Sequence, residues 1–203
     1  LILSLMDDGY SVLNLDLNDS VDLKVNLKNY SFIKVDFTQV EGLESKILGI
    51  VEPLECLSGL VCLAAHNQTI KIEGTTQEEI AFSKLPLGEW EKTFTVNVTA
   101  TMLLNRIAAE RMKLQGFGSI VNIASIFALF APDQRRYGSS GLNSNAAYGA
   151  SKASVIQLSR FLSSYYQKTG IRINAISPGG IERNQPTDFI ENYIIDSSDW
   201  KSK

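Results

Sequence analysis

Histidine and cysteine are scarce in this chain: His66 is the only histidine, and Cys56 and Cys62 are the only cysteines, among 203 residues. A zinc site or a Ser-His pair needs ligands or partners that a lone histidine does not have, so His66 reads as a loop residue. The two cysteines fit no metal or disulfide spacing and read as buried thiols. Charge of one sign is lacking too. With 19 Lys and Arg against 22 Asp and Glu the net charge is −3, and Arg135-Arg136 is the one basic cluster, which speaks against nucleic-acid binding. Leu1 to Leu5 is too short, and too soon followed by Asp7 and Asp8, to be a membrane span or a signal peptide. There is no internal repeat or low-complexity tract. What is present is globular: 44% hydrophobic and 20% charged residues, enough for one sizeable core in a single domain, 1–203.

Within that composition, Tyr148-Gly149-Ala150-Ser151-Lys152 sets a phenol and an amine one helical turn apart, on one face. A phenol serves as acid or base near neutrality only if a fixed cation favours its phenolate. Lys152 is placed to be that cation. The apolar stripe Ala153, Val155, Ile156, Leu158, Phe161 and Leu162, stopped at Gly170, supports the helix. By spacing alone the pair reads first as a surface Tyr and Lys on an amphipathic helix. The flanking segments weigh against that. Gly118 to Ser125 and Ile171 to Ser177 are apolar, β-branched runs that read as buried parallel strands, the first ending in a hydroxyl and the second closed by Pro178-Gly179-Gly180.

The order strand-Ser, helix with Tyr and Lys, strand with Pro-Gly resembles the short-chain dehydrogenase/reductase family of classical type over nearly the whole chain. The resemblance implies an α/β fold, a three-layer doubly wound parallel sheet of Rossmann type, and an NAD(P)-dependent oxidoreductase of the cytoplasm. It implies that Ser125 holds the substrate oxygen, Tyr148 exchanges its proton, and Lys152 favours the phenolate while touching the nicotinamide ribose. Asn97, in a long helical pattern from Leu87 to Gln115, matches an asparagine that organises a relay water behind the lysine. On its own it would equally be a solvent-facing helix residue.

For the cofactor, Ser11 to Leu17 reads as the family's second strand. Asp16 at its carboxyl end matches the carboxylate that accepts from the ribose 2′-hydroxyl, which favours NAD over NADP; alone it would be a turn residue. Asp36-Phe37 follows the third strand, Tyr30 to Val35, and by resemblance contacts the adenine. A helix from Val40 to Val51 leads to the fourth strand, Gly59 to Ala65. There Cys62 and Leu63 replace the asparagines by which relatives tie neighbouring strands, so weakened stability or altered cofactor geometry is expected. Ala64 and Ala65 keep the small residues that admit a cofactor. Pro178, Gly179 and Ile181 complete the implied cofactor contacts, with Tyr148 and Lys152.

No Gly-x-x-x-Gly-x-Gly turn precedes Asp16, and the chain opens at Leu1. The chain therefore reads as a fragment, lacking the first strand with its glycine-rich turn and, after the substrate-helix-like Pro186 to Tyr193, the last strand. In the order 3-2-1-4-5-6-7 the first strand is central, so a gap is expected, or strands two and four pushed together, with poor stability and weak pyrophosphate binding.

Two polar insertions are the places to read specificity: Asn67 to Leu85, and the 23 positions from Ser125 to Tyr148. Arg135 or Arg136 could clamp a carboxylate or phosphate, or be a solvated charge pair. This longer loop, with Asn184-Gln185-Pro186, is nearest in pattern to the subgroup of flagellin modification protein A. That implies a small polar, sugar-derived alcohol or ketone as substrate, and a homo-oligomer, dimer or tetramer, for the intact parent. The alternative is a non-catalytic remnant acting only through association.

Overall fold

The computed structural model describes residues 1–19, 28–67, 82–132 and 145–180. Ile181, Arg135, Arg136, the 186–193 segment and most of the first insertion lie outside the described residues. Among the described residues five parallel strands form in the expected places. β1 (Val12–Asp16) pairs with β2 (Tyr30–Lys34), Val12 opposite Tyr30 and Asp16 opposite Lys34. β3 (Gly59–Cys62), β4 (Gly118–Ile123) and β5 (Ile171–Ile176) form a second sheet in that order, with Cys62 opposite Asn122 and Ile123 opposite Ile176. Among the described residues the two sheets share no strand pairing. The expected gap is there, and β1 and β3 are not pushed together. β3 stops at Cys62, three residues short of the expected strand.

Among the described residues there are five α-helices, one before β1 and the others between strands. α1 (Ile2–Asp7) buries none of its residues and packs on β1. α2 (Leu43–Val51) begins after left-handed Gly42, later than the sequence suggests, and buries Leu43 and Ile47. α3 (Leu87–Phe94) passes through a wide π turn, Thr95–Ala100, into α4 (Thr101–Gln115), so the single long helix read from the sequence carries a bulge at Asn97. α5 (Ala146–Tyr165) is capped by Asn145, whose side chain accepts from the Ala147 N–H at 2.6 Å. Among the described residues no helix is long and apolar enough to cross a membrane.

Two apolar clusters hold these elements. One joins Val35, Phe37, Leu43 and Ile47 to Val96, Leu103 and Ile107; the other joins Ala109, Met112 and Ile120 to Leu162, Tyr166, Ile171 and Ile173. α4 serves both, so it is the common wall of the two sheets. The turn into β5 depends on Gly170, at φ 79°, where a Cβ would run into the Gly116 carbonyl.

Three expectations are corrected. Cys56 is exposed, in the loop after α2; only Cys62 is buried. The buried face of α5 is Ala147, Ser151, Lys152, Val155, Ser159 and Leu162, whereas Ala153 and Phe161 face outward. The apolar run misled because the face against the sheet is partly polar. β4 and β5, read as covered on both sides, alternate instead: Ile120, Asn122, Ile171 and Ile173 are buried, while Arg172, Asn174 and Ile176 are exposed.

Candidate active site

Parallel strands place their carboxyl ends along one edge, and the expected site residues collect there. Ser125 lies two residues beyond β4 in extended backbone. It caps the short 3-10 turn Ile126–Ala128, its Oγ accepting from the Phe127 N–H at 3.2 Å. The segment after β5 is bound to it: Ile126 N–H donates to the Pro178 carbonyl at 2.9 Å and Ala124 N–H to that of Ile176 at 2.8 Å. Pro178 is thereby fixed beside Ser125. α5 approaches the same turn closely, because a Cβ on Gly149 would stand 3.0 Å from the Phe127 carbonyl oxygen. A residue without a side chain next to Tyr148 lets the helix pack closely on the serine's turn.

Tyr148 is half-buried in the first turn of α5. Lys152 is 3% exposed, with Nζ 5.8 Å from the centroid of the Tyr148 ring and donating to the Ile123 carbonyl at 2.6 Å. Burial lowers its pKa to about 8, opposed by the nearby Cys62 thiol. Most of Lys152 is still protonated at neutral pH. The surface reading of the Tyr-Lys pair is thus wrong for Lys152, which is interior.

Asn97 is fully buried in the π turn, not solvent-facing. Its Oδ1 accepts from the His66 N–H at 2.7 Å; its Nδ2 donates to the His66 carbonyl at 3.0 Å and to Ser151 Oγ at 2.9 Å. Ser151 Oγ in turn donates to the Tyr148 carbonyl at 2.8 Å. His66, read as an unpartnered loop residue, has a partner: Nε2 lies 3.0 Å from Glu89 Oε2.

Behind Lys152 is a buried polar network that the sequence reading missed. Asn105 and Asn122 exchange side-chain amide bonds of 2.8 and 2.9 Å, Asn122 Nδ2 also reaches Ser159 Oγ at 3.0 Å, and Asn105 Nδ2 reaches Cys62 Sγ at 3.6 Å. The hydrogen bonding left in doubt by Cys62 is therefore closed by Asn105 from α4. Burial pushes the Cys62 thiol up to about 12, so it stays neutral. One signal was available: Ser151 and Ser159 recur at helical spacing with Val155, a polar line through an apolar face.

The residues expected to face the adenosine are separate. Asp16 ends β1, and its Oδ1 accepts from Leu17 N–H at 2.6 Å and from Asn18 N–H at 3.4 Å, closing a turn. Asp36 Oδ1 accepts from the Thr38 hydroxyl at 2.7 Å and the Thr38 N–H at 2.9 Å, which hold its carboxyl below the usual range. Phe37 has its side chain in the first core cluster, so only its backbone is open to a nucleotide. Ala64 is half-buried, and Ala65 and Gly179 are exposed, around the same strand ends.

A model of the short chain dehydrogenase family matches residues 2–192. The chain is 26% identical to the short chain dehydrogenase ausX of Penicillium brasilianum over 93% of its own length and 66% of that protein's. It is 26% identical to the post-translational flagellin modification protein A of Campylobacter coli, over 93% of this chain and 74% of the other. The chain thus spans about two thirds to three quarters of these curated relatives. Among solved structures, a short chain dehydrogenase of Leptospira borgpetersenii with bound NAD+ superposes with a TM-score of 0.77 at 31% identity, covering 96% of this chain and 71% of that one.

Proposed function

Because the chain belongs to the short chain dehydrogenase family, we propose that its site is that of an NAD(P)-dependent oxidoreductase acting on a small polar alcohol or ketone. The observation that carries this reading is the interior amine of Lys152, held 5.8 Å from the Tyr148 ring on the strand edge where Ser125 also lies. Burying an amine is unfavourable, and a helix face offers Lys152 easier exits; a charge kept there acts on its neighbours. The residues present suit the nicotinamide and adenosine ends of a dinucleotide, with Asp16 and Asp36 at the ends of β1 and β2, whereas no glycine-rich turn for the pyrophosphate occurs in this sequence.

NAD(P), when bound, supplies or accepts the hydride. The protein's part is the proton. In reduction Tyr148 gives its phenolic proton to the carbonyl oxygen; in oxidation, as phenolate, it takes the alcohol's. The Lys152 ammonium favours negative charge on that oxygen. Ser125 Oγ accepts from Phe127 N–H and so keeps its own proton to donate to the substrate oxygen. The Asn97 side chain is engaged by His66 and Ser151, and by family resemblance the residue organises a relay water behind Lys152. Asp16 favours NAD, since a second carboxylate oxygen can accept from ribose hydroxyls and would repel a 2′-phosphate. The chain's resemblance to the flagellin modification protein A subgroup, to a member of which it is 26% identical, is the ground for proposing a sugar-derived substrate.

Tyr148→Phe tests the assignment. Turnover should fall by roughly a hundredfold or more, with NAD affinity within about twofold; substantial residual turnover would refute it. The second reading is a non-catalytic remnant acting only through association. Isothermal titration of the soluble chain with NAD separates the two, and micromolar binding would argue against the remnant.

A further inference from the structure

We propose that His66 and Glu89 are positioning residues for the proton-transfer site, acting through Asn97; this rests on the functional reading above. β3 ends at Cys62, so the backbone from Leu63 onward leaves its strand ladder, and Leu63 and Ala65 are exposed. Yet the peptide groups of His66 are the ones that Asn97 grips, through both its amide oxygen and its amide nitrogen. A buried amide can be held in one orientation only if its partners stay still.

The His66 ring supplies that constraint. Nε2 donates to Glu89 Oε2 at 3.0 Å, with the two side chains 22% and 25% exposed. Glu89 is in the first turn of α3, where the buried Thr93 hydroxyl donates to its carbonyl at 2.7 Å. The pair thus pins a strandless loop to the start of a helix. From there the chain of contacts is continuous: Glu89 to the His66 ring, the His66 peptide to Asn97, Asn97 to Ser151, and Ser151 Oγ to the Tyr148 carbonyl. A hydrogen bond this accessible contributes little as an isolated contact. Its consequence is the orientation of Asn97 and, through it, of the turn that carries Tyr148.

The test uses the full 203-residue chain, with His66→Leu, His66→Gln and Glu89→Gln. Two quantities are read: hydrogen exchange of the Asn97 side-chain amide by NMR, and kcat against NAD affinity. In His66→Leu the Asn97 amide protons should exchange about tenfold faster or more, and kcat should fall roughly tenfold with NAD affinity within about twofold. His66→Gln, which keeps an N–H donor for Glu89, should restore both to within about threefold. Glu89→Gln gives a milder loss in the same direction and stands in if His66→Leu does not fold. Unchanged Asn97 exchange in both His66→Leu and Glu89→Gln overturns the proposal, as does an equal acceleration of all amides in α4 and β4, which would make the pair a general stabilising contact. The exchange measurement decides even without turnover. Normal turnover in Tyr148→Phe would sink the functional reading alone.

Discussion

The two sheets of this protein bury polar groups very differently. Around β3–β5, Asn97, Asn105, Asn122, Ser151, Ser159 and Lys152 are interior and bonded to one another or to backbone. Around β1–β2, every residue of β1 is only half-buried, and Asp16 and Asp36 spend their carboxylates on local turns. A buried polar network fixes geometry, because each member loses a partner if any member moves. The β3–β5 sheet is therefore organised for positioning. The β1–β2 sheet is a scaffold whose polar groups stay near water, and among the described residues it shares no strand pairing with the other.

The largest expected difference is in pH dependence. Lys152 is held at about 8 against an ordinary 10.5. Between those values the unfolded chain keeps a proton that the folded chain has released, so stability rises with pH across that window. Below it, burying the charge costs the folded state roughly 3 kcal/mol. Denaturant unfolding of wild type and Lys152→Met from about pH 7.5 to 10.5 should show wild type gaining on the variant as pH rises. A constant difference would place the ammonium in solvent.

Next in size is the network itself. Asn122→Leu leaves the Asn105 amide and the Ser159 hydroxyl short of partners and should destabilise by about 2 kcal/mol. The matched change Asn14→Leu, in β1, removes only a 3.2 Å contact to the Tyr30 hydroxyl and should cost about 0.5 kcal/mol or less. Equal losses in urea titrations would erase the contrast between the sheets. The smallest expected effect is in native-state hydrogen exchange: amides of β1 and β2 should exchange about tenfold faster than those of β4, which is paired on both sides. Comparable protection would mean that the two sheets open as one unit.

Much of this was legible in the chain. The strands from β1 to β5, the helix carrying Tyr148 and Lys152, and the break between two groups of strands follow from apolar runs, helical spacing and the order of motifs. These are local or one-dimensional signals, and local sterics and hydrophobic periodicity suffice to produce them. The misjudged residues needed partners distant in sequence. Cys56 and Phe161 look apolar enough to bury, but both stay exposed, Phe161 stacking only on Tyr165 of its own helix among the described residues. Asn105 and Asn122 look like ordinary polar residues until α4 and β4 bring their amides together. His66 carries no motif, and its partner is 23 positions away.

The sequence by itself determined the secondary structure, the family and which residues are proposed for proton transfer, since those depend on side-chain chemistry and spacing along the chain. Only the tertiary structure decided that Lys152 is an interior amine, that Asn97 grips a backbone segment, and that Asn105 closes the gap left at Cys62. Burial and hydrogen-bond partnership are properties of what packs against a residue, and that is settled when the helices meet the sheets.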